Sequence, residues 1–180
     1  MNTEGHVFIA CSQDGFIARP DGDIGWLHQL PDIGSDYGYA DFMAGMDGLV
    51  MGRATFEKVL SFGEWPYKKP VVVVSRSLNA LPESVSGKVS ISRDSPADLM
   101  ARLGREGWQR AYIDGGKLVS SFLQAGLVSS LTLSRIPILL GTGLPLFSGL
   151  ARDIRLQHVS TEAYASGLVQ SRFKVLREED

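Results

Sequence analysis

Cysteine is almost absent from this chain: Cys11 is the one thiol among 180 residues. No disulfide framework and no cysteine-based zinc site can form within a single copy. Histidine is scarce too, and His6, His28 and His158 are scattered without the spacing of a ligand set. No metal is expected. No apolar run approaches the ~20 residues needed to cross a bilayer. The opening residues, MNTEGHVFIAC, have neither a basic start nor an apolar stretch of signal length. A cytoplasmic setting without a membrane partner is the expectation. Net charge is small, −2, which gives no reason to expect nucleic acid.

What the chain does have is core-forming material. It is 44% hydrophobic and 21% charged, enough for one packed domain over residues 1–180. Charge is unevenly spread. Residues 1–50 carry eight acids and one base, Arg19, whereas residues 51–150 carry twelve bases and seven acids. An anionic ligand would prefer the middle of the chain, although ordinary surface charge gives the same count.

Short apolar runs bounded by turn residues read as buried strands. These are Val7–Cys11, Gly48–Met51, Val71–Val74, Val89–Ser92, Ala111–Ile113 and a long Ser130–Leu140. Two alternating stretches, Ile154–Ala163 and Gly167–Leu176, form an expected C-terminal antiparallel pair turning at Ala165-Ser166-Gly167. Helical spacing falls at Asp36–Met46, Arg53–Leu60, Ser95–Glu106 and Gly116–Gln124. Ser95-Pro96 is a cap followed by proline at the first helical position. Alternation of strand and helix through the middle predicts an α/β fold with a largely parallel sheet and helices on both faces.

Chemistry concentrates where strands end in glycine. In Tyr112-Ile113-Asp114-Gly115-Gly116-Lys117-Leu118-Val119 a strand runs into two glycines and then a helix. Such a start presents free N–H groups and a partial positive charge, which suits phosphate. A ligand-free tight turn has the same spacing. Val50-Met51-Gly52-Arg53-Ala54-Thr55 repeats the pattern, with Arg53 and Thr55 able to reach an anion. Two such turns can hold the two ends of a dinucleotide. Ser75-Arg76-Ser77 follows the four valines, where α/β ligands sit, and could take a ribose 2′-phosphate. From Asp14-Gly15 a long polar loop leads to Trp26, a candidate lid, unless Trp26 packs in the core. Leu146 and Phe147, after Gly141-Thr142-Gly143, could wall a flat-ring pocket or belong to the core.

Taken in order, these segments resemble the dihydrofolate reductase superfamily. The nearest likeness is to small stand-alone proteins related to the reductase domain of the bacterial riboflavin-biosynthesis deaminase-reductase. The resemblance is carried by FIACSQDGFIA (Phe8 to Ala18), VMGRATFEKV (Val50 to Val59), PVVVVSRSL (Pro70 to Leu78), YIDGGKLVSSFLQAGLV (Tyr112 to Val128) and LTLSRIPILLGTGLPLF (Leu131 to Phe147). It implies a three-layer fold with a mixed eight-stranded sheet and NADPH lying across it. By motif, Gly52, Arg53 and Thr55 would hold phosphate and the adenosine side. Ser75 and Arg76 would lie at the 2′-phosphate, and Gly115, Gly116, Lys117, Leu118 and Val119 at the pyrophosphate. Ala10 and Ile17 would touch the nicotinamide, under the loop from Asp14 to Trp26.

The family's carboxylate on the first helix maps to Asp36 by spacing back from Gly52, or to Asp32 by the Leu30-Pro31 pair. Ser134 takes the position of a hydroxyl that supports this acid. Asp36 would act through a raised pKa as proton donor; the other reading of Asp36 is a helix cap. No clear basic residue awaits a folate tail, and the deaminase zinc motif is absent. The expectation is an NADPH-dependent reductase. Its small-molecule substrate would be a pterin or dihydrofolate, or a ribosylaminopyrimidine of the 5-amino-6-(5-phosphoribosylamino)uracil type whose phosphate could meet Arg135. The rival is a non-catalytic nucleotide-binding or dimerisation module. The long strand and C-terminal hairpin offer a surface for a homodimer.

Overall fold

Four consecutive valines, Val71–Val74, make a strand because β-branched side chains pack well on a pleated surface and fit helices poorly. Both faces of that strand are buried, so a layer must cover each side. The computed structural model, which describes residues 3–177, supplies those layers. Its elements in chain order are β1 (Glu4–Cys11), β2 (Phe16–Ala18), α1 (Tyr39–Ala44), β3 (Gly48–Gly52), α2 (Arg53–Leu60), β4 (Val71–Val74) and β5 (Val89–Ser92). They continue with α3 (Pro96–Arg105), β6 (Arg110–Asp114), α4 (Gly116–Gln124), β7 (Val128–Arg135), β8 (Leu144–Pro145), β9 (Leu156–Ala163) and β10 (Val169–Val175).

The main sheet has eight strands in the order β5-β4-β3-β6-β1-β7-β10-β9. From β5 to β7 every neighbouring pair is parallel. Strand β10 runs antiparallel to both β7 and β9, which gives the expected C-terminal hairpin. The sheet is therefore mixed, and the carboxyl ends of six parallel strands share one edge. Strands β2 and β8 pair separately.

Alternate residues divide the core. Val7, Ile9, Val50, Val72 and Ile113 face Leu99, Met100 and Leu103 of α3 and Val119, Phe122 and Leu123 of α4. Leu49, Met51, Val71, Val73 and Tyr112 pack with Phe56 and Leu60 of α2 and with Phe42 and Met43 of α1. A smaller cluster joins Trp26, Ile136 and Leu168. Helices thus cover both faces. Among the described residues no helix is long and apolar enough to cross a membrane.

Three expected elements differ. The run Ser130–Leu140 does not remain a strand: β7 stops at Arg135. Pro137 has no N–H to give to the ladder, and Ile136 turns into the cluster around Trp26. The first helix begins at Tyr39 rather than Asp36, because Tyr37 (φ 57°) and Gly38 (φ 82°) are in the left-handed region. The polar stretch after Asp14 is not one open loop. It contains β2 and a 3₁₀ turn over Gly25–Gln29, and Trp26 is 1% exposed, in the core.

Phe122 is fully buried between α4 and the sheet. Replacing it with alanine is expected to cost about 3–5 kcal/mol, read as a lower urea midpoint. A loss under about 1 kcal/mol would contradict this packing.

Candidate active site at the carboxyl edge of the sheet

Strands β3 and β6 are neighbours, with Met51 paired to Asp114, so the helices that follow them start side by side. A Cβ built on Gly115 would lie 2.7 Å from the Thr55 hydroxyl, and Gly115 has φ 101°. Glycine is required there twice over, for the backbone angle and for the close approach. No side chain caps α2 at Gly52 or α4 at Gly115. By contrast, Ser95 caps α3, its hydroxyl accepting the Asp98 N–H at 3.2 Å. Two helix starts, both left uncapped, therefore present N–H groups and partial positive charge to one region. Beyond its own chain neighbours, no atom lies within 4 Å of where a Cβ on Gly52 would be, so the space beside that start is open. This donor set fits a diphosphate.

Arg53 joins this region to the turn after β4. Its Nε donates to Glu57 at 2.6 Å and its Nη1 to the Ser77 hydroxyl at 2.9 Å. The Ser75 hydroxyl accepts the N–H groups of Ser77 (3.3 Å) and Leu78 (3.0 Å), which shapes the turn that carries Arg76. Arg76 and Lys117 are exposed. Gly52, Arg53, Thr55, Ser75, Arg76, Gly115, Gly116 and Lys117 thus gather along one edge. Leu118 packs partly against the core. Val119 faces inward: its side chain is buried and its N–H donates to the Gly115 carbonyl at 2.8 Å.

The segment after β1 lies over the start of α4. A Cβ on Gly116 would meet the Pro145 carbonyl at 2.6 Å, Ile17 Cδ1 at 3.0 Å and the Leu146 carbonyl at 3.2 Å. Ile17 is thereby placed beside the glycine pair. Ala10 packs near Trp26 and Ile136. Leu146 is core, 2% exposed. Phe147 instead lines a cavity of about 530 Å³ between α4 and the C-terminal hairpin, away from the glycine turns.

The two acids weighed from the sequence do not behave as a buried donor. Asp36 is exposed and accepts the N–H groups of Gly38 (2.9 Å) and Ala40 (2.7 Å). Those bonds hold its pKa below the usual value, the Ala40 N–H first. Asp36 has no burial to raise its pKa, and it is not the helix cap either, which is Gly38, although its carboxylate accepts the first-turn Ala40 N–H. Asp32 is also exposed and accepts the Gly34 N–H at 2.8 Å. Ser134 is buried, and its hydroxyl accepts from Gln170 Nε2 at 3.1 Å. The same Gln170 nitrogen donates to the Tyr37 carbonyl at 3.0 Å, so Ser134 is linked to the segment beside Asp36, not to a carboxyl.

The acid nearest to these conditions is Asp114, half-buried at the end of β6 beside the two glycine turns. Burial pushes its pKa up to about 6, against the Gly115 N–H and the neighbouring Tyr112 side chain, which favour the charged form. Its surroundings are phenolic. Tyr112 donates to the Phe8 carbonyl at 2.8 Å and lies 6.5 Å, ring to ring, from Tyr39 of α1. Burial, then the charge of Asp114, raises Tyr39 to about 12 and lifts Tyr67 as well. The sequence signal was an acid closing an apolar strand directly before a glycine pair.

These features define a dihydrofolate-reductase-like domain with two glycine-led helix starts at the carboxyl edge of its sheet. Residues 5–170 match the RibD C-terminal domain family, and the chain belongs to that family. It is 32% identical over 166 residues to YwjB of Bacillus subtilis, an uncharacterized protein, covering 90% of this chain and 92% of that one. Its fold matches a putative riboflavin biosynthesis protein from Shewanella sp. PV-4 with a TM-score of 0.93 and 38% identity, over 97% of this chain and all of the other. A diaminohydroxyphosphoribosylaminopyrimidine deaminase/5-amino-6-(5-phosphoribosylamino)uracil reductase from Thermotoga maritima matches with a TM-score of 0.76. That match has 14% identity, covers 97% of this chain and 57% of the longer enzyme, and speaks to fold alone.

The Asp114 carboxyl has a pH signature. Its folded pKa, about 6, lies above the ordinary 3.8. Well below pH 3.8 it is protonated in both states and neutral to stability. As pH rises toward 6 the unfolded chain ionises first, so stability falls, then levels off. Asp114→Asn is therefore expected to stabilise the protein at pH 8, by up to about 3 kcal/mol, with no gain at pH 3.5. Thermal unfolding at the two pH values reads this, and equal effects at both would refute it.

Proposed function

We propose that this protein is an NADPH-dependent reductase acting on a small heterocyclic substrate. The observation that carries the reading is the meeting of two uncapped, glycine-led helix starts at Gly52 and Gly115, with Asp114 between them. Gly52, Thr55, Gly115, Gly116 and Lys117 would hold the diphosphate through backbone N–H groups and one charge. The Ser75-Arg76 turn, braced by Arg53, would take the 2′-phosphate and so favour NADPH over NADH. Ile17 and Ala10 would border the nicotinamide.

When bound, NADPH supplies a hydride. The chain's part is to orient the acceptor, limit water and provide a proton. Asp114 in its carboxylic acid form would give that proton to the substrate nitrogen or oxygen next to the carbon that is reduced. A pKa near 6 keeps a usable protonated fraction at neutral pH. The name of the 38%-identical Shewanella relative, a putative riboflavin biosynthesis protein, favours a ribosylaminopyrimidine over a pterin. The rival reading, a non-catalytic module, rested on the lack of an inward acid; Asp114 weighs against it.

NADPH at millimolar concentration is expected to raise the melting temperature and quench tryptophan fluorescence; no response in either would sink the reading. Arg76→Ala should weaken NADPH about ten-fold or more and leave NADH unchanged. Asp114→Asn should cut turnover by roughly 10²–10⁴-fold. In the wild type, turnover should decline above about pH 6, following loss of the Asp114 proton. A profile that keeps this break in Asp114→Asn would remove Asp114 from the chemistry.

A further inference from the structure

Two segments more than a hundred residues apart are joined over the start of α4. The Asp14 carboxylate holds them: Oδ2 accepts the Gly141 N–H at 2.7 Å, and Oδ1 accepts the Leu140 N–H at 3.1 Å and the Ser12 hydroxyl at 2.6 Å. Ser12 in turn accepts the Phe16 N–H at 2.9 Å. Main-chain bonds repeat the join, from Gln13 N–H to the Ile138 carbonyl and from Leu146 N–H to the Gly15 carbonyl, both 2.9 Å. Beyond them β2 and β8 pair, Phe16 with Pro145 and Ala18 with Leu144. A Cβ on Gly143 would collide with the Ala18 carbonyl and Phe16. Ile17, Pro145 and Leu146 of the joined pair all touch the space beside Gly116.

We propose that Asp14 is a positioning residue for the cofactor: it bolts the 12–18 turn to the 138–147 loop, so that the two act as one body pressing Ile17 onto the start of α4. The inference rests on the reductase reading for what lies beneath that body, but the bolt itself does not. Asp14 never touches the ligand. A carboxylate suits this task because it accepts all three donors at once, whereas an amide would turn an N–H group toward one of them. Those donors, Ser12 first and then the Gly141 and Leu140 N–H groups, push its pKa down to about 2, so the bolt stays ionised wherever the reductase would work.

The test compares wild type with Asp14→Ala and Asp14→Asn. Without ligand, hydrogen exchange of backbone amides in both 16–18 and 140–146 should quicken together, by about ten-fold in the alanine variant. Amides of 54–60 should be unchanged. Asp14→Asn, which keeps one acceptor oxygen, should fall between. In binding, Asp14→Ala should weaken NADPH about ten-fold. It should leave adenosine 2′,5′-bisphosphate unchanged, because that fragment reaches only the Arg76 end. Unaltered exchange, exchange rising in one segment alone, or equal loss of NADPH and the fragment would each overturn the proposal. If wild type binds neither probe, the reductase reading falls while the exchange measurement still decides the bolt.

Discussion

The approach of Gly115 to Thr55 is the contact on which the open edge depends. It exists because β6 lies between β3 and β1 at the middle of the sheet and because neither glycine turn spends a side chain on capping. A residue with a Cβ at position 115 would push α4 away from α2 and separate the two sets of N–H groups. Positive backbone charge at this edge is therefore a property of the topology as much as of the glycines. The full charges of Arg76 and Lys117 add to a field already fixed by the helix starts.

The same edge divides into halves with different mechanics. On the β3–β4 side, Arg53 spans from its own helix to Ser77, and Ser75 orders the intervening turn. These are short-range links on well-packed elements. On the β1 side, the wall over Gly116 comes from a two-stranded patch outside the main sheet. Between them, Asp114 is kept among Tyr39, Tyr67 and Tyr112, which arrive from a helix, a loop and a strand. One half supplies charge, the other supplies an apolar cover, and the carboxyl lies where they meet.

How legible each part was follows from how local its cause is. Val71–Val74, Val89–Ser92, α2 and α4 were readable to the residue, because β-branched runs and strand–glycine–helix turns leave their marks within a few positions. The C-terminal hairpin was marked by Gly167. Strand β2 was not readable: three residues become a strand because Leu144 and Pro145 pair with them. The strand end at Arg135 was masked by the apolar character of Ile136 to Leu140, which continues past Pro137. Asp114 leaves no local mark of its role, since its raised pKa depends on rings gathered from distant elements. Asp36 illustrates the reverse: spacing gave it a chemical role, whereas two local N–H groups occupy its oxygens.

The central place of β1 has a bearing on how the chain is made. Glu4–Cys11 is synthesised long before its sheet neighbours, residues 110–114 and 128–135. Val7, Phe8 and Ile9 therefore emerge from the ribosome well before anything can flank them. Strands β3, β4 and β5 with α2 can assemble from nearby sequence, while β1 waits with both hydrogen-bonding edges bare. Closing such distant pairs is slow, and an unpaired apolar strand is prone to wrong partners. Until β7 is made, β1 cannot take its place between β6 and β7, where it joins the β5-β4-β3-β6 half of the sheet to the β7-β10-β9 half.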